Sequence, residues 1–440
     1  MENLFTSVSE SLFAEVSEEE QLVLNFYGED SLFIRFNKSK VRQVTDVVQM
    51  ELVIALKNQG KESSVTLPLT NNVGDNVSQC KACLTTLRDR LKSLESLPFF
   101  VEAENFGTSR SVRDGNLPTP DEYLQIITAG SANVDLAGLL VSGKLAIGNA
   151  NSLGQRHWFE STSFCFDYSL YTEKEKAVKS SYSGTRFEEK AFVDNLETAK
   201  ENLKYMSKPN KILKPGKYRC YFAPSAVGDL LELFNWGGAS QSALKRGNSP
   251  LLLLESEGLN LSDKFSLKEN FLLGLHPTFN EEGELANDEI TIFEQGALQN
   301  LLTSTRTAIE FDLASNYSNI QESLRSPILQ TGDLKQEDIL TDLDTGLYIS
   351  NLHYLNWSDT KKGRMTGMTR FACFYVEDGE IVAPIKDLRF DETIYNAWGE
   401  NLLAVTAFSD MLVNSSTYYR RHPGGSQCPG MLIEDFNFTL

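Results

Sequence analysis

No apolar stretch in this chain approaches the roughly 20 residues that a helix needs to cross a bilayer. Such runs as occur, for example at 250–255 (PLLLLE) and 269–277 (ENFLLGLHP), are far shorter. Cysteine is also scarce: six among 440 residues, at 80, 83, 165, 220, 373 and 428, too dispersed for a disulfide framework and suited to a reducing compartment. Only four histidines occur, His157, His276, His353 and His422, and no two share a zinc spacing such as HExxH. Basic residues are outnumbered, 41 Lys and Arg against 60 Asp and Glu, and the formal charge of −19 repels a phosphate backbone, which argues against nucleic acid as a partner. GxGxxG, GxxxxGK[ST] and GxSxG are absent as well, so nucleotide binding and hydrolase-elbow chemistry have no support.

What is present is an ordinary globular composition, 41% hydrophobic and 23% charged, in a chain long enough for two domains. The first 20 residues are acidic and lack the basic start and apolar stretch of a secretory signal, so a cytoplasmic location is expected of a bacterial or archaeal chain.

Residues 12–24 begin in a loosely helical pattern. Leu32, Ile34 and Phe36, then Leu52, Ile54 and Leu56, alternate with their neighbours, and breaks at 28–30 (GED), 37–40 (NKSK) and 58–61 (NQGK) suggest an antiparallel meander. From Asp75 to Leu97 the stripe Val77, Cys80, Leu84, Leu87, Leu91 and Leu94 predicts a helix packed on that sheet. The lone CxxC within it, Cys80 and Cys83, reads as packing. Residues 103–122 read as a long loop before a helix at about 120–130. A second meander over 139–172 is expected, turning at 143–144 and 148–155. A charged amphipathic helix over 186–206 leads into a Pro- and Lys-rich linker, which sets a boundary between an N-terminal α+β domain, 1–206, and a β-rich domain, 207–440. Beyond it come a strand at 217–224, a helix at 224–235, and mainly strands, with an Asp-Gly hairpin at 377–380. The fold class is therefore α+β.

Arg364 and Arg370 bracket a Gly-Met-Thr turn before a buried strand, and two guanidinium groups beside exposed backbone suit carboxylate capture. The plainer reading has them neutralising nearby acids. His353 and Trp357 flank the preceding strand, where aromatic residues more often fill a core.

Four segments in order, 32–44 (LFIRFNKSKVRQV), 282–308 (EGELANDEITIFEQGALQNLLTSTRTA), 346–359 (GLYISNLHYLNWSD) and 366–390 (TGMTRFACFYVEDGEIVAPIKDLRF), resemble the TldD/PmbA family, whose PmbA branch is also called TldE. The likeness is firmest from Gly216 onward. It implies an α+β N-terminal domain, a largely β C-terminal domain and, in the TldD branch, a helix bearing HExxxH that holds zinc with a cysteine near the C-terminus for peptide hydrolysis. Here that window falls on 232–237, with Glu232 and Gly237 in the histidine positions and Leu233 in place of the general-base glutamate. Cys428 lies closer to the terminal strand than the family's ligand cysteine, and no metal role is carried onto it. The resemblance thus implies a TldE-like chain with no catalytic residue, metal or cofactor of its own, zinc residing in a TldD-type partner. Its partners would be that subunit or a second copy of itself, and an unfolded or leader peptide, with neither nucleic acid nor membrane involved. His353, Arg364, Thr369 and Arg370 are the expected peptide-binding residues. A stand-alone peptide-binding homodimer is the alternative. A hydrolase built on His353 or His422 with carboxylates has no support in the spacing.

Overall fold

The computed structural model describes residues 1–439. Its first half opens with α1 (Glu2–Phe13), followed by β1 (Gln21–Asn37), β2 (Lys40–Asn58), β3 (Lys61–Leu69), α2 (Val73–Ser93), β4 (Thr108–Arg113), α3 (Pro120–Gly130), β5 (Asp135–Asn151), β6 (Arg156–Tyr171), β7 (Ala177–Gly184) and α4 (Glu189–Met206). The strands form one sheet in the order β3-β2-β1-β5-β6-β4, with β7 also on β6. Even-numbered residues of β1, Leu22, Leu24, Phe26 and Ile34, point to the helices. Phe5, Val8 and Leu12 of α1 and Cys80, Leu84, Leu87 and Leu91 of α2 cover one end, and Tyr123 of α3 and Phe192 of α4 the other. Asn72 caps α2 by accepting from the Asp75 N–H at 3.2 Å, and Thr119 and Glu122 form a capping box on α3.

Several local expectations are corrected. Gly28–Asp30 is strand interior, not a turn. A Cβ on Gly28 would lie 2.7 Å from Met1 Sδ, so its glycine serves the close approach of α1. Gly143–Lys144 and Gly148–Asn151 likewise belong to β5, and a Cβ on Gly143 would meet the Asp30 carbonyl oxygen of β1. The polar loop at 103–122 contains β4, recruited parallel to β6. Leu94 lies past the end of α2 and is exposed, because the chain turns extended there. Leu22 and Leu24 sit in β1 rather than in a helical start.

The second half comprises β8 (Gly216–Phe222), α5 (Pro224–Phe234), α6 (Gln241–Lys245), α7 (Leu252–Ser256), β9 (Leu267–Asn270), β10 (Glu289–Glu294), β11 (Ala297–Leu298), α8 (Thr305–Phe311), β12 (Pro327–Leu329), α9 (Ile339–Leu343), β13 (Gly346–Ile349), β14 (Asn351–Asp359), β15 (Arg364–Arg370), β16 (Phe374–Glu377), β17 (Glu380–Pro384), β18 (Arg389–Thr393), β19 (Leu402–Val413) and β20 (Gly425–Phe438). They build a 13-stranded sheet in which β20 pairs with β8, β12, β18 and β19. Val227, Leu230, Leu231 and Phe234 of α5 pack into a core with Phe265, Phe293 and the fully buried Trp398. Asp378 and Gly379 turn the β16–β17 hairpin with φ of 51° and 77°, both left-handed, as the Asp-Gly pair predicts. Among the described residues no helix is long and apolar enough to cross a membrane.

Polar contacts lock the halves together on the sheet face away from the helices. The 279–285 loop inserts Glu282 against Lys57, 2.7 Å away, and the Glu281 carbonyl accepts from Asn25 and Asn149. The buried Arg421 donates from its backbone to Glu29 at 2.9 Å and from its guanidinium to Ser163 Oγ at 2.9 Å. The Ser183 hydroxyl of β7 donates to the Met411 carbonyl at 2.7 Å.

Candidate functional site

Along α5 an apolar sequence is interrupted at helical spacing by Ser225, Gly228, Asp229, Glu232 and Asn235. All five line a cleft of about 840 Å³ whose opposite wall is formed by Cys165 and Asp167 of β6 and Lys179, Ser180, Ser181 and Ser183 of β7. Asn351 at the start of β14, His276, Arg325 and the 414–423 loop complete it. The cleft exists because the contacts just described hold β6 and β7 over the helix.

Its electrostatics follow from burial. Among the described residues Asp229 accepts one hydrogen bond, from the Leu352 N–H at 3.0 Å, and burial pushes its carboxyl up to about 6, against the opposing pull of that bond and of Lys179. The cleft walls also raise Glu232 by desolvation. Lys179 is paired with Asp167 at 3.2 Å. Burial, with the Arg325 cation, drives the His276 imidazole down to about 3, so it stays neutral while its Nδ1 lies 3.0 Å from the Pro277 carbonyl oxygen. Arg325 donates to the Phe279 carbonyl at 3.1 Å and stacks over the Phe271 ring. Arg420 is bound to Glu51 and lies over Tyr27.

The predicted zinc window disperses. Glu232 faces the cleft. Leu233 is buried in the core, and Gly237 lies beyond the helix end at φ 91°, outside the cleft lining. Cys428 lies beneath α5, where a Cβ on Gly228 would be 3.9 Å from its sulfur. Burial pushes its thiol up to about 12, and the nearby Asp410 and Asp229 charges act in the same direction, so it stays protonated. Among the described residues no three His, Cys, Asp or Glu side chains converge as a metal-binding group. The donor set therefore does not fit zinc.

The expected peptide-binding residues come together only in part: Arg370 is near enough to His353 to lower its pKa, while Thr369 faces the other way. Arg364–Arg370 is a strand rather than a turn, because both edges of β15 are paired, with β14 and β18. Its alternation places Arg364 and Arg370 on one face and Thr369 on the other, where Thr369 is 0% exposed and its hydroxyl accepts from the Leu388 N–H at 2.9 Å. A peptide has no access to Thr369. Arg364 is spent on Asp391 at 3.0 Å, as the plainer reading holds. His353 lies against Tyr354, with ring centroids 4.0 Å apart, and desolvation together with Arg370 and Lys179 lowers its pKa. None of the four lines the cleft. Asp229 and Lys179, which do, escape the sequence reading. The i, i+3, i+4 polar stripe of α5 is the available signal for the first.

The sequence pattern of the PmbA/TldA metallopeptidase C-terminal domain matches residues 215–440, a little over half of the chain. No curated protein matches the chain. Among solved structures, a Thermotoga maritima protein provisionally described as a modulator of a DNA gyrase superposes with a TM-score of 0.77 at 15% identity, covering 99% of this chain and 100% of that one. A Bacteroides thetaiotaomicron protein with a similar description gives 0.77 at 16% identity, covering 99% and 98%. TldE from Thermococcus kodakarensis gives 0.76 at 12%, covering 99% and 100%. These similarities extend the same fold over nearly the whole chain, and with the domain match they show that it belongs to the PmbA/TldD family of metallopeptidase-like proteins.

Proposed function

We propose that this chain, divided near residue 207 into its two domains, is a metal-free TldE/PmbA-like subunit of a cytoplasmic TldD/TldE-type metallopeptidase. It holds an unfolded or leader peptide while a zinc-bearing TldD-type partner cuts it. The observation that carries this reading is the fate of the zinc window. The helix and the cleft are built, yet Leu233 faces the core, Gly237 has left the helix and only Glu232 reaches the cavity. Such a chamber receives a substrate without the means to activate water. Its size and polar walls suit a backbone rich in N–H and C=O groups. Moreover, among the described residues β7 pairs only with β6 in the sheet, and its Ser180 and Ser181 line the cleft, so an extended peptide has a strand edge to join.

The test is metal content and hydrolysis of an unfolded protein by the purified chain, alone and mixed with a TldD-type partner. The expected result is neither bound zinc nor hydrolysis alone, and faster hydrolysis in the mixture than by the partner by itself. Stoichiometric zinc with hydrolysis by the chain alone would overturn the proposal. An inert, zinc-free chain that leaves the partner's rate unchanged would favour the stand-alone peptide binder.

A further inference from the structure

Asn351, at the start of β14, lines the cleft while only 8% exposed, and among the described residues neither end of its side-chain amide makes a hydrogen bond. A buried amide without partners bears the cost of its lost hydration with no compensating bond, and native structures keep few of them. The N–H of the next residue, Leu352, is given to Asp229 at 3.0 Å, which sets Asn351 beside that carboxylate.

The groups next to it are acceptors. Leu352 holds one oxygen of Asp229, and among the described residues nothing bonds the other. Glu232, one turn further along α5, faces the cleft, is exposed, and has no ion pair or hydrogen bond of its own among the described residues. The cleft's cations are engaged elsewhere, Lys179 with Asp167 at 3.2 Å, Arg420 with Glu51, and Arg325 with the Phe279 carbonyl oxygen at 3.1 Å and the charges of Glu269 and Glu281. Two free carboxylates and an amide suit a cation that brings its own N–H donors. A metal is not served, because no three His, Cys, Asp or Glu side chains converge among the described residues. A guanidinium is served poorly at Asp229, since its planar fork asks for both oxygens of one carboxylate edge and Leu352 already holds one. A primary ammonium, compact and with three donors, matches the set.

We propose that Asp229, Glu232 and Asn351 form a subsite for the amino-terminal residue of the bound peptide. The α-ammonium donates to the two carboxylates and to Asn351 Oδ1, and Nδ2 of the same amide donates to that residue's carbonyl oxygen. The terminal torsion of asparagine is soft and roughly two-fold, so a turn about it brings both ends of the amide to the ligand. A lysine side chain offers the same ammonium without a carbonyl beside it, so the amide distinguishes the two sources. The inference rests on the reading of this chain as a peptide-holding subunit and adds which end of the peptide is read.

The experiment is fluorescence anisotropy on the full chain with an unfolded, lysine-free peptide labelled at its C-terminus, presented with a free amino terminus, N-acetylated, and N-acetylated with one internal lysine. Acetylation should weaken binding to the wild type about tenfold or more, because it removes a set of charge-assisted hydrogen bonds, and the internal lysine should not restore it. The D229N/E232Q variant should bind the free and acetylated forms alike, and N351A should weaken the free form about threefold or more. Cooperative thermal unfolding establishes that the variants fold, and the acetylation comparison needs no variant. Equal affinity of the wild type for the free and acetylated forms overturns the inference and leaves the peptide-holding reading intact, whereas binding of none of the three overturns both. A preference that survives in D229N/E232Q places the amine elsewhere, and full recovery by the internal lysine assigns the subsite to a side chain; each overturns the proposal. An N351A variant that binds like the wild type overturns the part given to the amide.

Discussion

Glu322 and Asp229 are both carboxylates withdrawn from water in the second half of the chain, and the structure treats them in opposite ways. Glu322 is 2% exposed and accepts from the Ser240 hydroxyl at 2.7 Å, the Ser242 N–H at 2.7 Å, the Ser304 N–H at 2.9 Å and the Ser304 hydroxyl at 3.1 Å. It ties the start of α6 to the start of α8. Asp229 and Glu232 sit on the cleft face of α5, where among the described residues the pair accepts a single hydrogen bond, the one to Asp229, and both are pushed toward the protonated form. Saturated lone pairs mark a carboxylate that holds the fold. Unfilled ones beside a cavity leave a carboxylate free to take water or a ligand.

Substitution should separate the two kinds by sign. Glu322→Ala strands up to four donors, three of them in buried bonds, each costing about 1–3 kcal/mol, so a loss of at least ~3 kcal/mol is expected in the urea midpoint, or failure to fold. A smaller loss would mean that water replaces the carboxylate and that the contrast with Asp229 is one of degree. Lys57→Ala comes next. The side chain is 1% exposed, with its ammonium 2.7 Å from Glu282 and 2.9 Å from the Val101 carbonyl oxygen. Removing it leaves Glu282 without its cation, at about 3 kcal/mol. Limited proteolysis within 279–285 should accelerate, since this contact holds the loop on the first sheet. Unchanged proteolysis would show that the neighbouring asparagine bonds suffice.

Asp229→Asn should act in the opposite direction. The folded carboxyl titrates near 6 against an ordinary 3.8, so between those values the unfolded chain binds fewer protons than the folded one. Its contribution to stability therefore falls as pH rises through about 3.8 to 6 and is flat above, by about 2–3 kcal/mol in all. The asparagine variant escapes that loss while its carbonyl oxygen still accepts from Leu352. It should match the wild type near pH 4 and exceed it by about 2 kcal/mol at pH 7.5 in paired urea titrations. Equal stability at both values would mean that the group is solvated when ionised, which removes the distinction from an ordinary surface acid.

How far these features could be read from the sequence depends on the distance between their parts. Period-two runs in β1 and β2, the α2 stripe, the α5 helix and the Asp-Gly hairpin are local patterns, and the structure contains them. The glycines at 28 and 143 look like turns because local propensity carries no information about what approaches them, here Met1 and Asp30. The same limit hid the site. Glu232 was found through a family window, but the cleft wall opposite it comes from β6 and β7, and Asn351 arrives from β14. No spacing within one segment encodes that convergence. In Arg364–Arg370 two arginines suggested carboxylate capture, whereas the alternation of β15 separates Thr369 from them and supplies Asp391 to the first.

The smallest effect tests that last point. Arg364 is about two-fifths exposed and pairs with Asp391 on the neighbouring strand β18, an arrangement typically worth under about 1 kcal/mol in screened solvent. Arg364→Ala should shift the urea midpoint by no more than that, and less at high salt. It should also leave the affinity for an unfolded peptide unchanged, since the residue does not line the cleft. Glu232→Gln, on the cleft face, should cost little stability at neutral pH and instead alter the affinity for peptides bearing a free amino terminus or a lysine. Fluorescence anisotropy with one labelled peptide reads both variants. If Arg364→Ala weakened binding while Glu232→Gln did not, the peptide would lie along β15 and the under-bonded carboxylates would be a property of the scaffold alone.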